Sequence, residues 1–139
     1  MQYLVTGVDA TGRSCVLNQA SAGGSVETMG QRLVYASEVD PPPPRPTGHA
    51  EDLELGVTPG LAKWMIVEWP PNMETLYHHT DTVDFDTVLE GRIALILDDG
   101  EHPLEVGDCV LVQGVDHSWR VGPEGCTTSV VLLGSTRTG

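Results

Sequence analysis

Short apolar runs alternate with polar and turn-forming residues along most of the chain. Residues 3–8 and 13–18 are rich in β-formers and flank Asp9-Ala10-Thr11-Gly12, which predicts an N-terminal hairpin. Residues 20–30 are small and polar and read as a loop, and 32–36 as a further strand. From Leu61 onward the runs become regular. Residues 61–69, 73–79, 84–89, 92–97, 109–112, 118–121 and 129–133 read as short strands, with Asp98-Asp99-Gly100-Glu101 as a hairpin turn and Gly107-Asp108 as another tight turn. No segment holds a helical period long enough for a stable helix. Many short strands with turn chemistry between them predict an all-β sandwich or barrel.

Between these regions lies Pro41-Pro42-Pro43-Pro44-Arg45-Pro46. Proline lacks the N–H that a central strand needs, so this piece is expected to run extended along the surface. Residues 47–60 show no period and are expected to drape over the barrel mouth. The division is therefore an arm of N-terminal strands and Pro-rich chain, 1–60, packing on a barrel, 61–139, in one structural domain.

Composition narrows the function. With 139 residues the chain can bury a real core, and 16 Gly with 10 Pro favour turns over helices. The net charge of −13 with seven Lys and Arg argues against nucleic acid and anionic membranes, whose phosphates need cationic partners. The three cysteines, Cys15, Cys109 and Cys126, are odd in number and widely spaced, as free thiols of a reducing compartment would be. Cys109 lies in an apolar run and is expected in the core. The opening Met1-Gln2-Tyr3-Leu4-Val5-Thr6 has neither the basic start nor the long apolar run of a leader, so a cytoplasmic location is expected.

Candidate chemistry concentrates in His78-His79-Thr80-Asp81-Thr82-Val83-Asp84 and returns at His117, two residues before Trp119. Imidazole and carboxylate groups converging in a barrel can hold a divalent metal or move protons. Neighbouring strand residues face opposite ways, so His78 and His79 cannot both point inward in regular β geometry. Asp86 shares a face with Asp84, and Trp119 with His117. His49 and His102 fall in loop and turn regions, where exposure is expected.

These residues resemble the cupin superfamily. The string His78-x-Thr80, three residues, Asp84, six residues, Gly91 is similar to the first cupin motif, with Thr for the second His and Asp for Glu. Gly107, then Gly114-x-x-His117, is similar to the second, with Val112 and Val121 in place of the usual Pro and Asn. The resemblance covers about residues 61–134. A subgroup marked by His-x-Thr-x-Thr-x-Asp, an Asp-Asp-Gly-Glu hairpin, a Gly-Asp turn and His-x-Trp is similar at all four places. It implies a jelly-roll β-barrel with extra N-terminal strands, a homodimer, and a small-molecule ligand.

The same resemblance implies a site of His78, Asp84 and His117 holding a divalent transition metal (Fe, Mn, Zn or Ni), with no organic cofactor. His79 replaces His78 in the alternative register, and Trp119, Tyr77 and Asp86 are expected at the pocket. The activity implied is that of a lyase, dehydratase, decarboxylase or dioxygenase of small-molecule or secondary metabolism. The alternatives are metal-free acid–base chemistry and a non-catalytic ligand-binding or sensing module.

Overall fold

The computed structural model describes residues 2–21, 41–44 and 50–136. The strand expected at 32–36 and His49 lie outside these residues. The described strands are β1 (Gln2–Val8), β2 (Ser14–Ser21), β3 (Glu51–Asp52), β4 (Ala62–Trp69), β5 (His78–His79), β6 (Thr82–Leu97), β7 (Gly100–Leu104), β8 (Cys109–Val112) and β9 (Ser118–Gly134). The main sheet runs β2-β1-β8-β6-β9-β4, with β7 also on β6, and β3 pairs with β5. Among the described residues the fold is all-β. No helix among the described residues is long and apolar enough to cross a membrane.

Two long antiparallel strands, β6 and β9, form the frame. Segments 84–89 and 92–97 are one continuous strand rather than two, and so are 118–121 and 129–133. The sequence pattern breaks because register shifts at Val88/Glu90 and Gly91/Ile93 interrupt the alternation without ending the pairing. On β6 the cavity-facing positions are therefore Asp84, Asp86 and Val88 before the irregularity and Ile93 after it.

Gly91 makes the bend possible. Its φ is 73°, and a Cβ there would stand 2.1 Å from the Gly125 carbonyl oxygen. A side chain fits neither the dihedral nor the space.

The N-terminal hairpin forms as expected and joins the same sheet. β1 runs parallel to β8, and Asp108 fixes the junction by accepting from Gln2 N at 2.7 Å and Glu105 N at 2.8 Å. The opposite end of the hairpin is held by Asp98, which accepts from Ser14 N at 2.9 Å. The turn carboxylates thus tie the arm to the barrel.

Leu4, Leu95, Leu104, Val112 and Val115 are buried in the main core. Val5, Val83 and Leu111 form a smaller cluster on the other side of β6, with Phe85 packed against it.

Three expectations change. Pro42 is fully buried, not on the surface; it packs where a side chain on Gly114 would stand, 2.4 Å from its Cβ. Cys109 is half-buried rather than core. His102 is half-buried, its Nε2 2.6 Å from Asp99 Oδ1.

Candidate active site

A cavity of about 530 Å³, within the range of small-molecule sites, is lined mainly by strands of the main sheet. Its walls are largely apolar, built from Met65, Val67, Trp69, Val110, Val130 and Leu132 on several strands. Leu53, Leu55, Met73 and Leu76 line it while remaining exposed, and so form an apolar rim. Leu53 and Leu55 come from the segment expected over the mouth. That segment is anchored by β3, whose flanking bonds run from Glu51 N to Tyr77 O at 3.0 Å and from Leu53 N to His79 O at 2.9 Å.

The polar groups enter from two places. His78 and His117 form an isolated antiparallel bridge in which each backbone N–H donates to the other's carbonyl at 2.8 Å. Residues paired in this way carry their side chains on the same face, and the two rings lie 4.3 Å apart between centroids. Each Nδ1 is 2.8 Å from a carbonyl oxygen, Leu76 O for His78 and Val115 O for His117. A carbonyl only accepts, so Nδ1 carries the proton in both rings and the lone pair sits on Nε2. Trp119 stands edge-on to His117, with centroids 5.8 Å apart.

Asp84 and Asp86 face the cavity from β6. The Thr82 hydroxyl donates to Asp84 Oδ1, and the Thr80 and Thr82 hydroxyl oxygens lie 2.7 Å apart. Since Thr82 gives its only proton to Asp84, Thr80 donates to Thr82. Thr80, at the second histidine position of the motif read above, thus begins a hydrogen-bond chain ending on Asp84. Asp86 Oδ1 is buried without a hydrogen-bond partner.

Burial sets the charge of the site. It pushes the His117 imidazole down to about 3, and the nearby His78 adds to this. Burial also lowers His78, against the opposing bond to Leu76. The same effect raises Asp84 to about 7, partly countered by Thr82, and holds Asp86 well above the carboxylate range with help from the Asp84 charge. The outcome is a pair of neutral imidazoles beside two carboxyls that give up their protons less readily than an exposed carboxyl does.

Of the residues singled out in the sequence, His78, Asp84, Asp86, His117 and Trp119 all line the cavity. Tyr77 does not; its hydroxyl donates to Asp98 Oδ1 at 2.7 Å and lies 3.2 Å from Ser14 Oγ. His79 points away as alternation requires, with Nδ1 3.0 Å from Asp116 Oδ1 and Nε2 3.6 Å from Asp52 Oδ1. Trp64 is 76% exposed on the outer face of β4.

The expected three-donor metal set is not assembled. Among the described residues no group of three His, Cys, Asp or Glu side chains comes together in ligand geometry. Two imidazoles are paired, but Thr80 stands where a third would be. Asp84, one methylene shorter than Glu, is engaged by Thr82. The side chains as they stand do not fit a metal of the expected type.

Sequence reasoning missed the Thr80–Thr82–Asp84 chain and the backbone bridge that pairs the histidines. The first was signalled by Thr80 and Thr82 alternating with Asp84. The second joins residues 78 and 117 and leaves no local signal.

No protein-family model matches the chain. It is 41% identical over 63 residues to the phomopsin biosynthesis cluster protein C' of Diaporthe leptostromiformis, a match covering 45% of this chain and 33% of that protein. It is 25% identical over 126 residues to the cupin-domain-containing oxidoreductase fogC of Aspergillus ruber, covering 83% of this chain and 61% of that one. The chain thus spans from about a third to three-fifths of the length of these relatives. A cupin-2 domain protein from Shewanella frigidimarina is 22% identical, covers 50% of this chain and 68% of that one, and superposes with a TM-score of 0.45. The match to the Aspergillus relative extends along most of this chain.

Proposed function

We propose that this chain is an enzyme of small-molecule biosynthesis that works by proton transfer inside the barrel. The observation that carries the reading is the His78–His117 pair, whose Nδ1 atoms are spoken for by carbonyls while both rings line an apolar cavity. His117, held at about 3, is a weak base, so His78, which burial lowers less, is the general base of the pair, and a carboxyl raised to about 7, as Asp84 is, is a good general acid.

The reaction class that suits this set is elimination or isomerisation beside a carbonyl. In an elimination, Nε2 of one imidazole takes the proton from the carbon next to the carbonyl. The Asp84–Asp86 pair gives a proton to the departing hydroxyl, and water leaves. Proton exchange between imidazolium and carboxylate, through solvent, restores both groups. The relatives named for biosynthetic clusters support a small organic substrate. A dehydratase or related lyase is the class this arrangement of imidazole and carboxyl groups suits best.

The test is incubation in deuterated water with a panel of apolar hydroxy-carbonyl compounds, followed by NMR. The expected results are deuterium uptake beside the carbonyl or loss of water, both retained after treatment with a chelator. Activity abolished by the chelator and restored by one metal would overturn the proton-transfer reading. Binding without exchange or turnover across the panel would favour a non-catalytic ligand-binding module.

A further inference from the structure

Among the described residues, the lining of the cavity holds no Lys or Arg to meet an anion. Its ionisable lining consists of Asp84, Asp86, Glu74, His78 and His117. Among the described residues the cations lie elsewhere. Arg13 stands 3.9 Å from Asp98, and Arg120 bonds Glu74 and Glu101 at 3.0 and 2.8 Å. Neither these two nor Lys63 and Arg92 lines the cavity. With no helix among the described residues, no helix N-terminus offers its amides in place of a cation.

A carboxylate or phosphate entering this space would lose its water and gain no counter-charge, which is costly in an apolar site. At the same time Asp86 Oδ1 is buried, faces no donor of the protein, and belongs to a side chain that lines the cavity. A buried acceptor of this kind lacks only a donor from a ligand.

We infer that the cavity selects molecules joining an apolar body to a hydrogen-bond donor, a hydroxyl or an amine set against Asp86, and rejects carboxylates and phosphates. The inference rests on the barrel-centred reading above but not on the protonation of the carboxyls. Neutral or ionised, they accept a donor and offer an anion no positive charge.

The probes are phenylpropanol, phenylpropylamine and phenylpropanoate, which share one body and differ in head group. Binding to the full chain at neutral pH is followed by the fluorescence of Trp69 and Trp119 and checked by calorimetry. The alcohol and the amine are expected to bind, and the propanoate about tenfold more weakly or worse, a difference of about 1.4 kcal/mol. Asp86→Asn, which adds an amide donor, is expected to narrow that gap.

Propanoate binding as tightly as the alcohol would overturn the inference, and so would failure of all three probes to bind at their solubility limit. The head-group order can hold while no proton exchange is ever found, which would sink the catalytic reading alone. Proton exchange with the order reversed would sink the selectivity alone.

Discussion

His78 and His117 are locked opposite one another by a reciprocal pair of backbone hydrogen bonds, each 2.8 Å, across 39 residues of chain. The pairing fixes the rings from the backbone side, and the carbonyls of Leu76 and Val115 fix their rotation. Neither ring depends on a metal for its orientation. Substituting either side chain leaves the backbone bridge in place, so chemistry can be removed without removing the frame.

His78→Gln is expected to lower proton-transfer activity about 10²–10⁴-fold, the usual contribution of a positioned general base, and His117→Gln by less. His79→Gln is expected to spare it, because His79 faces Asp116 instead of the cavity. Deuterium exchange rates of the three variants measure this. An equal loss in all three would contradict the assignment.

The pH dependence of stability contains two opposing parts. His117 is neutral in the fold down to about 3, whereas the unfolded group takes a proton below 6.5. The unfolded chain thus binds more protons between about 3 and 6.5, and this group's contribution to stability falls as pH drops through that window. Asp84 keeps its proton in the fold up to about 7, whereas the unfolded group loses it above 3.8. Here the folded chain binds more protons, and stability falls as pH rises from about 3.8 to 7. Asp84→Asn is expected to remove the second part, and His117→Gln the first. Urea midpoints across this range should then slope in opposite directions relative to the parent, and parallel curves would refute the linkage.

Thr82→Val deletes the donor to Asp84 Oδ1 with little change of shape. A buried acceptor left without its partner costs about 1–3 kcal/mol. The carboxyl should rise further, since the Thr82 bond is what pulls it down. Thr82→Ser keeps the hydroxyl and is expected to retain most of the stability. Chemical denaturation of the two variants separates the hydrogen bond from packing.

Gly91→Val places a β-branched side chain at φ 73°, with its Cβ directed at the Gly125 carbonyl. Strain at such a dihedral alone costs about 1–3 kcal/mol, before the backbone shifts to relieve the contact. Gly91→Ala is expected to fall between the two. A melting temperature unchanged in the valine variant would contradict the role given to this bend.

Much of the site was legible because alternation is a local rule. His78, Thr80, Thr82, Asp84 and Asp86 are spaced by two, so a single choice of register sets them all. Tyr77 and His79 face away for the same reason. The turns at Asp98-Asp99-Gly100 and Gly107-Asp108 carried their own chemistry. What could not be read was non-local. The irregularity at Gly91 made β6 look like two strands, because the side-chain phase reverses while the pairing continues. Pro42 seemed fit only for the surface until Gly114 provided a place for its ring. Motif spacing delivered His78, Asp84 and His117 to one cavity, but the Thr82 bond to the Asp84 carboxyl could not be read from it.

Two neutral imidazoles whose Nδ1 atoms are held by carbonyls line an apolar cavity. Long-range nitrogen–proton NMR of the histidine rings reads tautomer and charge directly, with His78→Gln and His117→Gln giving the assignments. The account predicts that both rings are neutral and protonated on Nδ1 at neutral pH, and that His117 stays so well below 6.5. Rings protonated on Nε2, or an imidazolium at either position at neutral pH, would contradict it.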